Sequence, residues 1–84
     1  MDSNYTMQFN LDYDRSKLIE DTMGKVRQAL EEKGYNPVNQ LVGYIMSGDP
    51  TYITSYKDAR KMIRQLERDE ILEFVLAKYL ADLK

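Results

Sequence analysis

A chain of 84 residues has room for one domain with a modest core, and 43% hydrophobic with 31% charged residues is the balance of an ordinary soluble globule. A net charge of −2 supplies no whole-molecule attraction to nucleic acid or anionic lipid, so binding of that kind would need a local basic patch. With no cysteine there are no disulfides and no thiolate metal sites, no apolar run approaches the roughly 20 residues of a membrane span, and no signal-peptide pattern opens the chain; the expectation is a cytoplasmic protein without membrane insertion.

Residues 1–16 differ from the rest. Tyr5, Met7, Phe9, Leu11 and Tyr13 alternate with Thr6, Gln8, Asn10 and Asp12, a period of two, with no obvious second strand to pair with. Two accounts fit: a flexible tail touching the core loosely, or a tail that adds its backbone to a partner's sheet edge. Ser16 then reads as the N-cap of a first helix in the domain spanning 17–84. Leu18, Ile19, Thr22, Met23, Val26, Ala29 and Leu30 form its inner stripe, and Glu20, Asp21, Lys25, Gln28 and Glu32 its solvated face.

The segment Gly34–Pro50 reads as a short central helix between two sharp corners, against which longer helices pack. Gly34 can stop the first helix in a left-handed conformation. Asn36 can cap the next one and Pro37 suits its first position, where an N–H would be unpaired anyway. Val38, Leu41, Val42, Ile45 and Met46 recur at helical spacing, and Gly48-Asp49-Pro50 makes the second stop and start. Gly43, costing about 1 kcal/mol against Ala inside a helix, signals the close approach of another helix, from this chain or a second copy.

Thr51-Tyr52-Ile53 can form a single turn, and Ser55 with Asp58 has capping-box spacing before a helix that buries Ala59, Met62, Ile63 and Leu66. A last helix presents Ile71, Leu72, Val75, Leu76, Tyr79 and Leu80. At 100° per residue the two apolar faces point about 140° apart. Either the chain breaks near Arg68-Asp69, with Asp69 capping the second piece, or a continuous helix shows its second face to another molecule. The fold class is all-α: a small bundle of four to five short helices with a flexible N-terminal tail, apolar enough on its last helix to form a homodimer.

Chemistry has little to work with. Without His or Cys the commonest general base and the strongest nucleophile are missing, so catalytic residues are expected to be none. Asp69, Glu70 and Glu73 are acids at a helix start, which the helix dipole explains without a metal ion. Ser47-Gly48-Asp49-Pro50 lacks the glycine run and the lysine of a phosphate loop. No cofactor is implied. One surface feature stands out: Lys57, Arg60, Lys61, Arg64 and Arg68 fall at i, i+3, i+4, i+7 and i+11, opposite Ala59, Met62, Ile63 and Leu66. Like charges at i,i+4 repel slightly, so a face of one sign is not chosen for stability. Guanidinium forks suit carboxylate and phosphate, and the stripe reads as a docking surface for an acidic or phosphorylated partner.

Lys33-Gly34-Tyr35-Asn36-Pro37-Val38-Asn39-Gln40, then Val42-Gly43-Tyr44, Ser47-Gly48-Asp49-Pro50, Lys57-Asp58-Ala59-Arg60, Ile63-Arg64 and Leu66-Glu67-Arg68-Asp69-Glu70, together resemble the UPF0297 (IreB/ReoM) family of Gram-positive bacteria. The resemblance covers nearly the whole chain, and Thr6-Met7-Gln8-Phe9-Asn10 resembles the family's tail motif. It implies a small helical dimer without enzymatic activity, a phosphorylation-controlled regulator of cell-wall synthesis. The implied partners are a membrane Ser/Thr kinase with extracellular PASTA repeats, its phosphatase, and the ClpCP protease machinery or its substrate, the enzyme committing UDP-N-acetylglucosamine to peptidoglycan. By match of position, Thr6 would be the phosphoacceptor, and Arg60 and Arg64 would belong to the functional basic surface. The chain departs from the pattern at Ile53-Thr54-Ser55, where many relatives read Ile-Pro-Arg. Two other readings stay open: a compact nucleic-acid-binding domain, for which the net charge is poor preparation, and a purely structural dimerisation module tolerant of charge reversal between Lys57 and Arg68.

Overall fold

The computed structural model describes the backbone of residues 2–83 and the side chains of residues 13–83. Four α-helices follow one another: α1 (Asp2–Glu32), α2 (Pro37–Ser47), α3 (Ala59–Ile63) and α4 (Arg68–Ala81). Two 3₁₀ turns, Pro50–Tyr52 and Tyr56–Asp58, lie between α2 and α3. Among the described residues there is no strand, and the all-α expectation holds. Thr6 and the alternating residues before Tyr13 fall outside the described side chains. Tyr13 to Ser16 are helical, so Ser16 is an interior residue of α1 and not its N-cap.

The expected inner stripe of α1 is the one that packs. Ile19, Thr22, Val26, Ala29 and Leu30 are buried and Met23 is partly so, whereas Leu18 faces out. The helix ends as its glycine predicts. Gly34 adopts φ 83°, which turns the Tyr35 N–H back to the Leu30 carbonyl at 2.9 Å. Asn36 then accepts from the Asn39 N–H at 3.0 Å, Pro37 opens α2, and Gly48 closes it at φ 77°.

Within α2 the inward face differs from the expectation. Tyr44 is its buried residue, flanked by partly buried Leu41 and Ile45, while Val38, Val42 and Met46 are exposed. The helix is short and packs on the following 3₁₀ turn, α1 and α4, which leaves Val38, Val42 and Met46 uncovered. Gly43 is explained by an aromatic ring and not by a helix: a Cβ there would overlap the ring of Tyr52, whose carbonyl accepts from Gln40 Nε2 at 2.8 Å.

The core is built mainly between α1 and the stretch from Ile53 to Ile71. Ile53, Ala59, Ile63 and Ile71 are fully enclosed with Val26, and Leu66 and Leu30 complete the cluster. The chain does break between α3 and α4. Gln65 and Leu66 donate back three residues to Met62 and Ile63, tightening the last turn, and Glu67 is extended. The cap differs from the one expected: Glu67 precedes α4, its N–H donating to Glu70 Oε1 at 3.1 Å, and Asp69 lies inside the helix. The break brings only Ile71 and part of Phe74 to the core. Leu72, Val75, Leu76, Tyr79 and Leu80 remain on the surface.

One ion pair fixes how α4 lies on α1. Arg15 presents Nε and Nη2 to the two oxygens of Glu70, at 3.0 and 2.7 Å, a bidentate pair joining residues 55 apart in the chain. It sits at the head of a cleft of about 580 Å³ between the two helices, floored by Ile19, Phe74, Ala77 and Ala81. The Arg15 hydrogen bonds hold the Glu70 carboxyl below the ordinary glutamate range, and the Glu67 amide adds to the effect. A lowered native pKa gives stability that is present above the unfolded value, about 4.3, and lost as pH falls through the native one. Urea midpoints of the native chain are therefore expected to fall on acidification below that value, and Glu70→Gln should flatten this part of the slope. An unchanged pH profile in Glu70→Gln would show that the pair contributes nothing to folding.

Candidate partner-binding site

The five cations of the expected stripe do not lie on one helix, because α3 has only five residues and the chain turns at Arg64. Before α3 the backbone makes a second departure from the expectation. Lys57 (φ 52°, ψ 34°) and Asp58 (φ 62°, ψ 19°) are both left-handed, so the expected Ser55–Asp58 capping box does not form. Non-glycine residues resist this conformation by roughly 1–2 kcal/mol each. The turn is held by its surroundings. Thr54 Oγ1 accepts from the Tyr56 N–H at 3.2 Å, the Thr54 carbonyl accepts from the Arg60 N–H at 3.0 Å, and Lys57 Nζ reaches Glu32 at 3.2 Å. Tyr56 lies between the ammonium groups of Lys33 and Lys57, at 5.2 and 5.4 Å from its ring centre. The Tyr56 hydroxyl and the Lys57 ammonium hold the Glu32 carboxyl below its ordinary range. Lys57 is thus part of a clasp on the end of α1.

Arg68 is also occupied elsewhere. At the start of α4 its guanidinium donates to the Ile45 carbonyl at 3.0 Å, satisfying an acceptor near the end of α2, and packs over Gly48. A Cβ on residue 48 would lie 2.8 Å from the Arg68 Cζ, so this glycine serves a close approach as well as the left-handed turn.

Arg60, Lys61 and Arg64 do come together. With Ser55, Asp58 and Gln65 they line an open cleft of about 530 Å³. Arg60 is half-buried and positioned: its Nε donates to the Ile53 carbonyl at 2.8 Å. It also faces Asp49, whose carboxyl is held below its ordinary range first by the Thr51 hydroxyl and amide and to a smaller degree by Arg60. Lys61 and Arg64 are exposed and, among the described residues, take part in no ion pair. Three cations against the carboxylates of Asp58 and, facing Arg60, Asp49 leave a site with an excess of positive charge, suited to an oxyanion. Lys61 also lines the adjoining cleft with Lys25, Gln28 and Gln65.

Spacing alone identified the three cleft cations. It missed Ser55 and Gln65, because a helical wheel places residues on a face only while the helix lasts. Glu70, considered with Asp69 and Glu73 as acids at one helix start, is committed to Arg15.

The chain matches the family described as IreB regulatory phosphoprotein over residues 4–81. It belongs to the IreB family. The UPF0297 protein of Ruminiclostridium cellulolyticum is 58% identical over 80 residues, covering 95% of this chain and 91% of that protein. The UPF0297 protein of Acetivibrio thermocellus is 52% identical over 82 residues, covering 98% and 91%. The resemblance read from the Lys33–Gln40, Ser47–Pro50 and Leu66–Glu70 series is therefore a family membership across nearly the whole chain. The family is one of regulatory phosphoproteins. No helix among the described residues is long and apolar enough to cross a membrane.

Proposed function

We propose that this chain is a non-enzymatic cytoplasmic regulator of peptidoglycan synthesis that works through protein contacts. In this reading a PASTA-type Ser/Thr kinase phosphorylates Thr6, a phosphatase reverses it, and the phosphorylation state sets how strongly the chain promotes ClpCP-dependent turnover of the first committed peptidoglycan-precursor enzyme. Membership of a regulatory phosphoprotein family supports the switch, and the observation carrying the contact surface is the convergence of Arg60, Lys61 and Arg64 on one cleft. Lys57 and Arg68 enter this reading as residues that shape the cleft's surroundings, since each is engaged by its own chain. The regulator acts as a homodimer joined through the exposed apolar face of α4.

The cleft is tested by separating its structural cation, Arg60, from Arg64, one of its two exposed ones. Arg64→Ala should leave the urea midpoint within about 0.5 kcal/mol of the native chain, as for an ordinary surface substitution. Arg60→Ala should cost about 1 kcal/mol through loss of its bond to Ile53. Both should weaken binding to the Clp machinery or its substrate by about tenfold or more, the scale of a lost charge-assisted contact, read by calorimetry or biolayer interferometry with purified components. If both variants bind as the native chain does, the cleft is not the contact surface.

The switch is tested separately. Incubation of the full chain with the host's PASTA-type kinase and ATP, followed by tandem mass spectrometry, should place a phosphate on Thr6, and Thr6→Ala should remove it without moving the urea midpoint. A Thr6 left unmodified while another substrate of the kinase is labelled would sink the switch and leave the cleft reading standing.

A further inference from the structure

Ser55 stands in the cation cleft with nothing to do. It is exposed at the end of the connector between the two 3₁₀ turns, and its side chain makes no capping bond to the backbone. The neighbouring hydroxyls are committed: Ser47 Oγ donates to the Gly43 carbonyl, Thr51 Oγ1 to Asp49, and Thr54 Oγ1 accepts from the Tyr56 amide. Ser55 shares its cleft with the cations Arg60, Lys61 and Arg64, the amide of Gln65 and the carboxylate of Asp58.

We propose that Ser55 is a phosphoacceptor, a second regulatory site whose phosphate is held by Arg60, Lys61 and Arg64 and closes the cleft to outside ligands. In the modifying step the Ser55 hydroxyl loses its proton to a kinase base and its oxygen bonds the γ-phosphorus of a nucleoside triphosphate. The bond from that phosphorus to the bridging oxygen breaks, and the nucleoside diphosphate leaves with the electron pair. Ser55 is itself exposed and belongs to neither a helix nor a 3₁₀ turn, which leaves its hydroxyl within reach of a kinase although Ile53, two residues earlier, is enclosed. The product suits the cleft. A phosphoserine carries about −1.5 to −2 charge and three acceptor oxygens, and the three cations of the cleft outnumber the carboxylates of Asp58 in it and Asp49 facing Arg60. Arg60 is pre-positioned by the Ile53 carbonyl, so one of the three donors loses little freedom on binding.

Only the regulatory consequence rests on the cleft being the partner-contact surface; the chemistry at Ser55 does not. A phosphate at this site would act on the cleft directly, whatever the state of Thr6. Substituting Ser55 removes no capping bond, so Ser55→Ala should fold as the native chain does.

Two measurements decide it. Tagged full-length chain is purified from its own host with phosphatases inhibited, and its phosphates are located by fragmentation mass spectrometry. A phosphate on Ser55, absent from Ser55→Ala, is the expected result; a chain phosphorylated only elsewhere, or not at all, overturns the proposal. Full-length chain carrying phosphoserine at position 55, installed during synthesis, is then titrated by ³¹P NMR. Capture by the cations should lower the second ionisation by about one unit from the ordinary value near 6, and Lys61→Gln with Arg64→Gln should restore most of it. A phosphate that titrates as in a free peptide would show that the cleft does not hold it, and would overturn the proposal even if Ser55 is modified. Either result is independent of Thr6 and of any Clp component, so failure here is distinguishable from failure of the proposed function.

Discussion

Ile53→Ala is expected to lower the unfolding free energy by about 2–5 kcal/mol, the range for removing a fully buried isoleucine side chain beyond its Cβ. A domain of this size has about 4–13 kcal/mol in total, so the variant should lose a large share of its stability. Ile53 follows a 3₁₀ turn and precedes an irregular connector, a place where an apolar residue is easily dismissed as loop. It is nonetheless completely enclosed, together with Val26, Ile63 and Ile71. The connector is in effect a strut of the core. Its side chain fills the space beside α1 while its carbonyl fixes Arg60. Loss of the side chain should therefore loosen the cleft as well as the fold, and partner binding should fall further than the unfolded fraction alone explains. Urea denaturation with circular dichroism reads the first effect. A midpoint close to that of the native chain would show that the connector is peripheral. Ile53→Val, which keeps most of the volume, should cost only about 0.5–1.5 kcal/mol.

The parts of this fold that could be read in advance are those encoded within a few residues of chain. The Asn36–Pro37 start, the left-handed stops at Gly34 and Gly48 and the inner stripe of α1 each depend on local backbone chemistry or on a periodicity sustained over many turns. What escaped was set by contacts between distant residues. Lys57 and Asp58 carry no local signal for positive φ; their conformation is stabilised by Glu32, Tyr56 and Thr54. That pair of left-handed residues shortens α3 and displaces Lys57 from the stripe. Arg68 was assigned to the stripe by an eleven-residue extrapolation, and the break after Ile63 sends it to the Ile45 carbonyl instead. At the cleft, the cations were legible because Arg60, Lys61 and Arg64 lie within little more than one helical turn, while Ser55 and Gln65 reach it only through the folded connector and the tightened end of α3.

In the homodimer proposed above, Leu76→Glu is expected to turn the dimer into a monomer while leaving the fold of each copy intact. The sequence leaves two arrangements open for the end of the chain: a break that brings both apolar faces inward, or a continuous helix that shows its second face to another molecule. The chain breaks, so the continuous helix does not form. The break delivers Ile71 and part of Phe74 to the core, yet Leu72, Leu76 and Tyr79 stay 45, 47 and 61% exposed. Their spacings of four and three match one repeat of a paired-helix seam. A lone domain gains nothing from such a row, and each leucine, already about half-buried, would contribute about 1 kcal/mol when covered by a second copy. Around a two-fold axis the same face meets itself, so one substitution acts twice. Glutamate at position 76 would then bury two like charges near each other, and the dimer dissociation constant should rise by about a hundredfold or more, on the scale of 1.4 kcal/mol for each tenfold. Sedimentation velocity over a range of concentrations reads this directly, and urea denaturation well below the dissociation constant checks that the monomer is unharmed. Leu72→Glu should behave alike, and Lys78→Glu, on the flank of the row beside Phe74, should have little effect. If the native chain sediments as a monomer at all concentrations, or the Leu76→Glu chain still dimerises, α4 is not the joint between copies.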